Sequence, residues 1–149
     1  MNYHWVRREN KNNRSLRFEK LIDGFDKISY ENFLTIKYDQ EYANPIFSPF
    51  KINKIFEVTF NDSCGVEDIL SLIHSWDRKA NVDNIGAAQF SMFYKNLRKK
   101  LKEINFDFDR EIPDSLLLES LQKTKNQILR SFDKLNISLG EYQKHVRAV

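Results

Sequence analysis

Apolar positions in this chain recur mostly at intervals of three and four, the spacing that lines one face of an α-helix. Leu16, Phe18, Leu21 and Ile22 form the first such run, and Gly24 is placed to end it. Ser29 reads as an N-cap and Glu31 as a first-turn acid for a helix burying Tyr30, Phe33, Leu34 and Tyr38. Asp62 or Ser63 can cap a third helix, with Glu67 and Asp68 near its positive end and Val66, Ile69, Leu70, Ile73 and Trp76 turned inward. Asp83 can cap a fourth, whose stripe runs Ile85, Ala88, Met92, Phe93, Leu97, Leu101 and Ile104. Pro113 suits the first position of a helix of about twenty residues, lined by Leu117, Leu121, Ile128, Phe132 and Leu135. The stretch "ANPIFSPFKINKIFEVTF" stays open. Pro45 and Pro49 interrupt it and "IFEVTF" has strand-like composition, yet Phe50, Lys54 and Val58 also keep helical spacing. Only four glycines and three prolines punctuate the chain, which speaks against a turn-rich all-β fold. The pattern predicts a mainly α fold of five or six helices with little or no sheet.

Composition narrows the class without naming a chemistry. The 149 residues are 41% hydrophobic and 13% aromatic, enough for a globular core. No apolar run approaches the roughly 20 residues that span a bilayer, and the opening "MNYHWVRREN" has no apolar leader segment. Cys64 is the single cysteine and reads as a buried structural thiol. His4, His74 and His145 lie far apart, so neither a disulfide nor a metal site has a signature. His74 reads as a packed core or boundary histidine. The net charge of +3 is unevenly placed. Arg7, Arg8, Lys11, Arg14, Arg17 and Lys20 face only Glu9 and Glu19, and Lys95, Arg98, Lys99, Lys100 and Lys102 contain no acid at all. Such clusters, with Tyr3, Trp5 and Tyr94 nearby, are what a helical module would use on nucleic acid or an acidic partner. The second cluster falls at the C-terminal end of its helix, where the dipole favours cations. That placement and the mild net charge argue against nucleic acid. There is no GxSxG, P-loop, HExxH or EF-hand loop, and the acids of "FDFDRE" read as a solvated connection.

Three segments carry a resemblance. "LIHSWDRKANVDNIGAAQFSMFY" is a hydrophobic run ending in Trp-Asp, a polar turn, then small residues opening an aromatic-rich helix. "NNRSLRFEKLIDGFDKISYENFLTIKYD" precedes it and "SLGEYQKHVR" follows. In this order they resemble the penicillin acylase family of N-terminal-nucleophile hydrolases, the last segment pointing to the acyl-homoserine-lactone acylase branch. The resemblance implies an amide hydrolase cut from a precursor, whose larger chain begins with a serine that is nucleophile and, through its α-amino group, base. An oxyanion hole would combine a backbone N–H with an asparagine side chain, and an arginine would hold asparagine and serine in position.

Carried onto this sequence, the resemblance places that positioning arginine at Arg14, with Arg17 as the fallback. The serine and the asparagine fall before Met1, Asn2 being too close to serve. Residues 1–149 then correspond to one helical segment, the interior of the large chain of an αββα acylase truncated at both ends. The isolated chain should be inactive. Its partners would be the remainder of the precursor, namely the small chain and the missing core strands, and the substrate of the parent enzyme would be an amide. The family's calcium ligands are not recognisable, so no cofactor is expected. The parent would be periplasmic or secreted. A helical interior without its sheet should expose apolar surface and self-associate, with "IFSPF" and "IFEVTF" as the candidate patches.

Overall fold

The computed structural model describes residues 11–144, among which there are six α-helices and no strand. The chain divides into two compact units, Met1–Phe47 and Ser48–Val149.

The first unit is built on two short helices, each started by a reciprocal side-chain cap. Helix α1 (Asn13–Ile22) follows Asn12, whose side-chain oxygen accepts from the Ser15 N–H while Ser15 Oγ accepts from the Asn12 N–H, both at 2.9 Å. Helix α2 (Tyr30–Tyr38) follows Ser29, which exchanges the same pair of bonds with Asn32 at 3.2 Å. Ser29 and Glu31 therefore act as the pattern predicts, Glu31 also accepting from the Ser29 hydroxyl. Gly24 does not adopt a left-handed conformation, and α1 ends on Asp23. The inward face of α2 differs from the expected one. Ile36 is buried, whereas Tyr30, Phe33 and Tyr38 are more than half exposed. Helices of ten and nine residues oppose too little surface to cover both faces, and the aromatic one is left outside. Of the apolar exposure expected at "IFSPF" and "IFEVTF", Phe47 is exposed while Ile46, Phe50, Ile55 and Val58 are buried, and Phe18 joins the α2 aromatics at the surface.

In the second unit the open segment resolves into 3-10 turns at Ile52–Phe56 and Asp62–Cys64, with Ile52 and Ile55 fully buried. Asp62 and Ser63 do not cap the following helix. They form their own turn, capped by Asn61 and ended by Gly65 in a left-handed conformation, and α3 (Glu67–His74) starts from Val66. Asp83 likewise caps nothing. Helix α4 (Ala87–Glu103) starts at Gly86, whose N–H is taken by the Gln89 side chain at 2.7 Å. Pro113 stands just outside α5 (Asp114–Phe132) as its N-cap rather than in its first turn. A last turn of helix, α6 (Leu139–Tyr142), is capped by Ser138. Helix α4 packs along α5 and also touches α3 and α6. Phe93, Leu97 and Leu101 of α4 meet a core that includes Ile69, Ile73, Leu117, Leu121 and Ile128, all fully buried. A buried polar group also crosses the α4–α5 seam. Asn96 donates to Thr124 Oγ1 at 3.0 Å and Gln127 Oε1 at 2.8 Å, and Thr124 donates to the Ser120 carbonyl. Every buried donor in this ladder is satisfied, so it sets the register of the two helices at little cost.

Two further expectations are corrected. Cys64 is half-buried in its turn rather than enclosed. His74 is exposed, its Nε2 2.9 Å from the Ile55 carbonyl at the end of α3.

Candidate functional site

Two places carry the residues that the sequence singles out, one in each unit. In the first, Arg14 and Arg17 stand one turn apart on α1 and have different surroundings. Arg17 is half-buried and its fork is occupied: Nε and Nη2 donate to the two oxygens of Asp39 at 3.2 Å, and Nη2 also reaches Glu41 at 2.9 Å. The Asp39 hydrogen bond in particular raises the guanidinium pKa further. This triad staples α1 to the chain after α2. Arg14 is exposed, and among the described residues its one bond is a long one, Nη2 to the Lys37 carbonyl at 3.3 Å. Its charge is thus available to another group and that of Arg17 is not.

In the second unit the turn between α3 and α4 is built around a buried tryptophan. Trp76 lies in a ladder of rings, stacked on Phe90 at 4.8 Å, with Phe56 against both. Its indole N–H donates to the Lys79 carbonyl, which folds the chain back at once. Asp77 holds the same turn from the other side, accepting from the Lys79 N–H at 3.0 Å and from the Asn84 amide at 2.7 Å. These bonds, the Lys79 N–H foremost, keep the Asp77 carboxyl below its ordinary pKa. A depressed carboxylate means that the unfolded chain binds the extra proton first. Its stabilising contribution is then complete above the unfolded value and is lost as pH falls through the folded one. Asp77→Asn is accordingly expected to flatten the acid limb of the stability curve below about pH 4, measured as melting temperature against pH.

The Trp-Asp turn and the "SLGEY" segment meet. Ile85 and Ser138 form an antiparallel bridge, Leu139 N–H donates to the Asn84 carbonyl at 2.9 Å, and Gly140 N–H to the Val82 carbonyl at 2.7 Å. A Cβ on Gly140 would stand 3.0 Å from that Val82 oxygen, so the approach favours glycine. Gln89, fully buried, ties the junction: its carboxamide accepts from Gly86 and donates to the carbonyls of Leu135 and Ile137. The periodicity of α4 did not mark Gln89; the signal was a lone amide inside the apolar "IGAAQF".

The basic residues of α4 share a solvent face. Lys95, Arg98, Lys99 and Lys102 are exposed at helical spacing, Lys99 pairing with Glu103 and Lys100 with Glu119 of α5. The acids of "FDFDRE" form an exposed connection in which Glu111 pairs with Lys51. Among the described residues no group of three or more His, Cys, Asp or Glu side chains could hold a metal ion. No helix among them is long and apolar enough to cross a membrane. Asn2, Tyr3, His4, Trp5, Arg7, Arg8, Glu9 and His145 lie outside the described residues. No family model, curated protein or solved structure matches the chain.

Proposed function

We propose that this chain is a helical segment of the large chain of a penicillin-acylase-type amide hydrolase, of the acyl-homoserine-lactone acylase branch. The observation that carries the reading is the junction of two of the three resembling segments. "WDRKANVDNIGAAQF" and "SLGEY" lie about fifty residues apart in sequence, yet they share a bridge, two flanking backbone hydrogen bonds and the Gln89 clamp.

On this reading the chemistry resides in segments other than these. A serine hydroxyl attacks the amide carbonyl while its own α-amino group takes the proton, and an asparagine carboxamide and a backbone N–H hold the oxyanion. The part of this chain is scaffold, plus Arg14 as a positioning residue. Arg14 rather than Arg17 is favoured because the Arg17 fork already holds Asp39 and Glu41. The 149-residue chain alone is then inert toward amides. Part of the cationic stripe on α4 has a structural account without nucleic acid: Lys99 and Lys100 pair with carboxylates, and Lys100 and Lys102 stand in the last turn, where the helix dipole favours cations.

The DNA on either side of the reading frame tests the proposal directly. It should encode, in frame and upstream, a serine at a self-cleavage junction and an asparagine-bearing loop shortly before Met1. Upstream sequence that cannot encode both would remove the acylase reading.

A further inference from the structure

The turn after Trp76 contains an arginine that the packing above does not explain. Arg78 adopts φ 64°, a left-handed conformation that costs an L-residue about 1 kcal/mol or more. Its guanidinium carbon lies 4.2 Å from the centroid of the Phe56 ring, so one face of the planar group is covered. Nη1 is enclosed without a hydrogen-bond partner. Among the described residues no carboxylate makes an ion pair with it, and the adjacent Asp77 is committed to Lys79 and Asn84. Burial presses the guanidinium pKa down, which leaves a charged group partly stripped of water and uncompensated. An arginine with no task would extend its head into solvent. Backbone strain, a stacked face and an enclosed free donor on one residue are what a ligand-binding position looks like.

We propose that Arg78, stacked on Phe56, is a carboxylate-binding residue, taking either a free organic acid or an Asp or Glu side chain of a docking polypeptide. The planar two-oxygen anion matches the guanidinium fork. A phosphate dianion would need a second cation, and the neighbouring Lys79 is already paired with Asp77. The side chain as a whole is half-exposed, with Nη1 enclosed. A carboxylate therefore engages Nη1 only after the side chain moves from its place beside the Phe56 ring. The inference stands on the turn itself and does not depend on the acylase reading.

The test uses the 149-residue chain at constant ionic strength, with sodium chloride exchanged for acetate, phenylacetate, N-acetylglutamate α-amide or phosphate. Each carboxylate that binds should raise the melting temperature by a few degrees, saturably and in the millimolar range, about as expected for ligand-linked stabilisation. A larger response to acetate or phenylacetate assigns the site to a free acid, and a larger response to the capped glutamate assigns it to a polypeptide side chain. Arg78→Gly suits the left-handed backbone, so it should keep the fold and abolish the response. Arg78→Lys should weaken the response several-fold by losing the fork. Quenching of Trp76 fluorescence in a Trp5→Phe background, which leaves one tryptophan, reads the same titration without a melt. Equal responses in the parent and Arg78→Gly chains, no response to any carboxylate, or a stronger response to phosphate would each overturn the proposal.

Discussion

Gly86→Ala is expected to unfold most of the second unit. Gly86 sits at φ 96°, where an L side chain is strained whatever the space around it. The space is also missing: a Cβ would stand 2.7 Å from the Leu72 carbonyl oxygen and 2.8 Å from Trp76 Cβ. Leu72 lies in the last turn of α3 and Trp76 in the turn just after it, and neither atom is the far tip of a flexible chain. Making room would push α3 away from the start of α4 and open the ring ladder of Phe56, Trp76 and Phe90. Strain and overpacking together should cost about 3–5 kcal/mol, a large part of what a domain of this size has to lose. Gly65→Ala is the control. Gly65 also has positive φ, at 66°, but a Cβ there meets nothing within 4 Å, so only the backbone term of about 1 kcal/mol should appear. Urea unfolding of the two variants separates strain from collision. Equal losses would show that the close packing of the α3–α4 turn is not what requires glycine at position 86.

Gln89→Leu is expected to cost about 3 kcal/mol or more, although it changes the volume little. Its carboxamide makes three hydrogen bonds in a fully buried place, one from the Gly86 N–H and two to the carbonyls of Leu135 and Ile137. Leucine leaves the Gly86 N–H and the Ile137 carbonyl without the Gln89 partner, at about 1–3 kcal/mol each before relaxation, while the Leu135 carbonyl keeps the Ile137 N–H. Relaxation should take a definite form. The chain from 135 to 140 would separate from the turn and let water in, so amide exchange should quicken at Leu139 and Gly140, which donate to Asn84 and Val82. Hydrogen exchange read by mass spectrometry checks this. Faster exchange spread evenly over α4 and α5 would mean that Gln89 supports the whole core and not the junction.

The elements that the apolar spacing predicted are those in which one stripe faces one neighbour. Helices α4 and α5 show this, with Phe93, Leu97, Leu101, Leu117, Leu121 and Ile128 buried as their positions require, although Ile85 and Ile104, the two ends of the predicted α4 stripe, lie outside the helix and are exposed. The spacing failed where local bonds decide. Asp83, Asp62 and Ser63 are good capping residues, but the Gln89 side chain takes the first free N–H of α4, and Asp62 and Ser63 are drawn into a 3-10 turn capped by Asn61, so α3 starts from Val66 with no side-chain cap. It failed again on α2, whose aromatic stripe has the right period but no layer opposite it, so Tyr30, Phe33 and Tyr38 remain outside. The candidate residues divide similarly. The Trp-Asp turn is visible as a motif, whereas the availability of Arg14 depends on Asp39 and Glu41 capturing Arg17, and those acids lie more than twenty residues away. Arg78 carried no sequence signal, since strain and an enclosed donor exist only once Phe56 is folded beside it.

The central claim is that these residues support an amidase whose nucleophile lies elsewhere. The most direct measurement compares release of chromophore from a phenylacetyl or long-chain acyl amide by the 149-residue chain and by the product of the reading frame with its in-frame flanking DNA. The isolated chain should show no turnover. The extended product should turn over, and Arg14→Ala should reduce its kcat by at least about 100-fold, the scale expected when catalytic groups are misplaced. Sustained turnover by the isolated chain, or an extended product that is inactive or indifferent to Arg14→Ala and Arg17→Ala alike, would contradict the account.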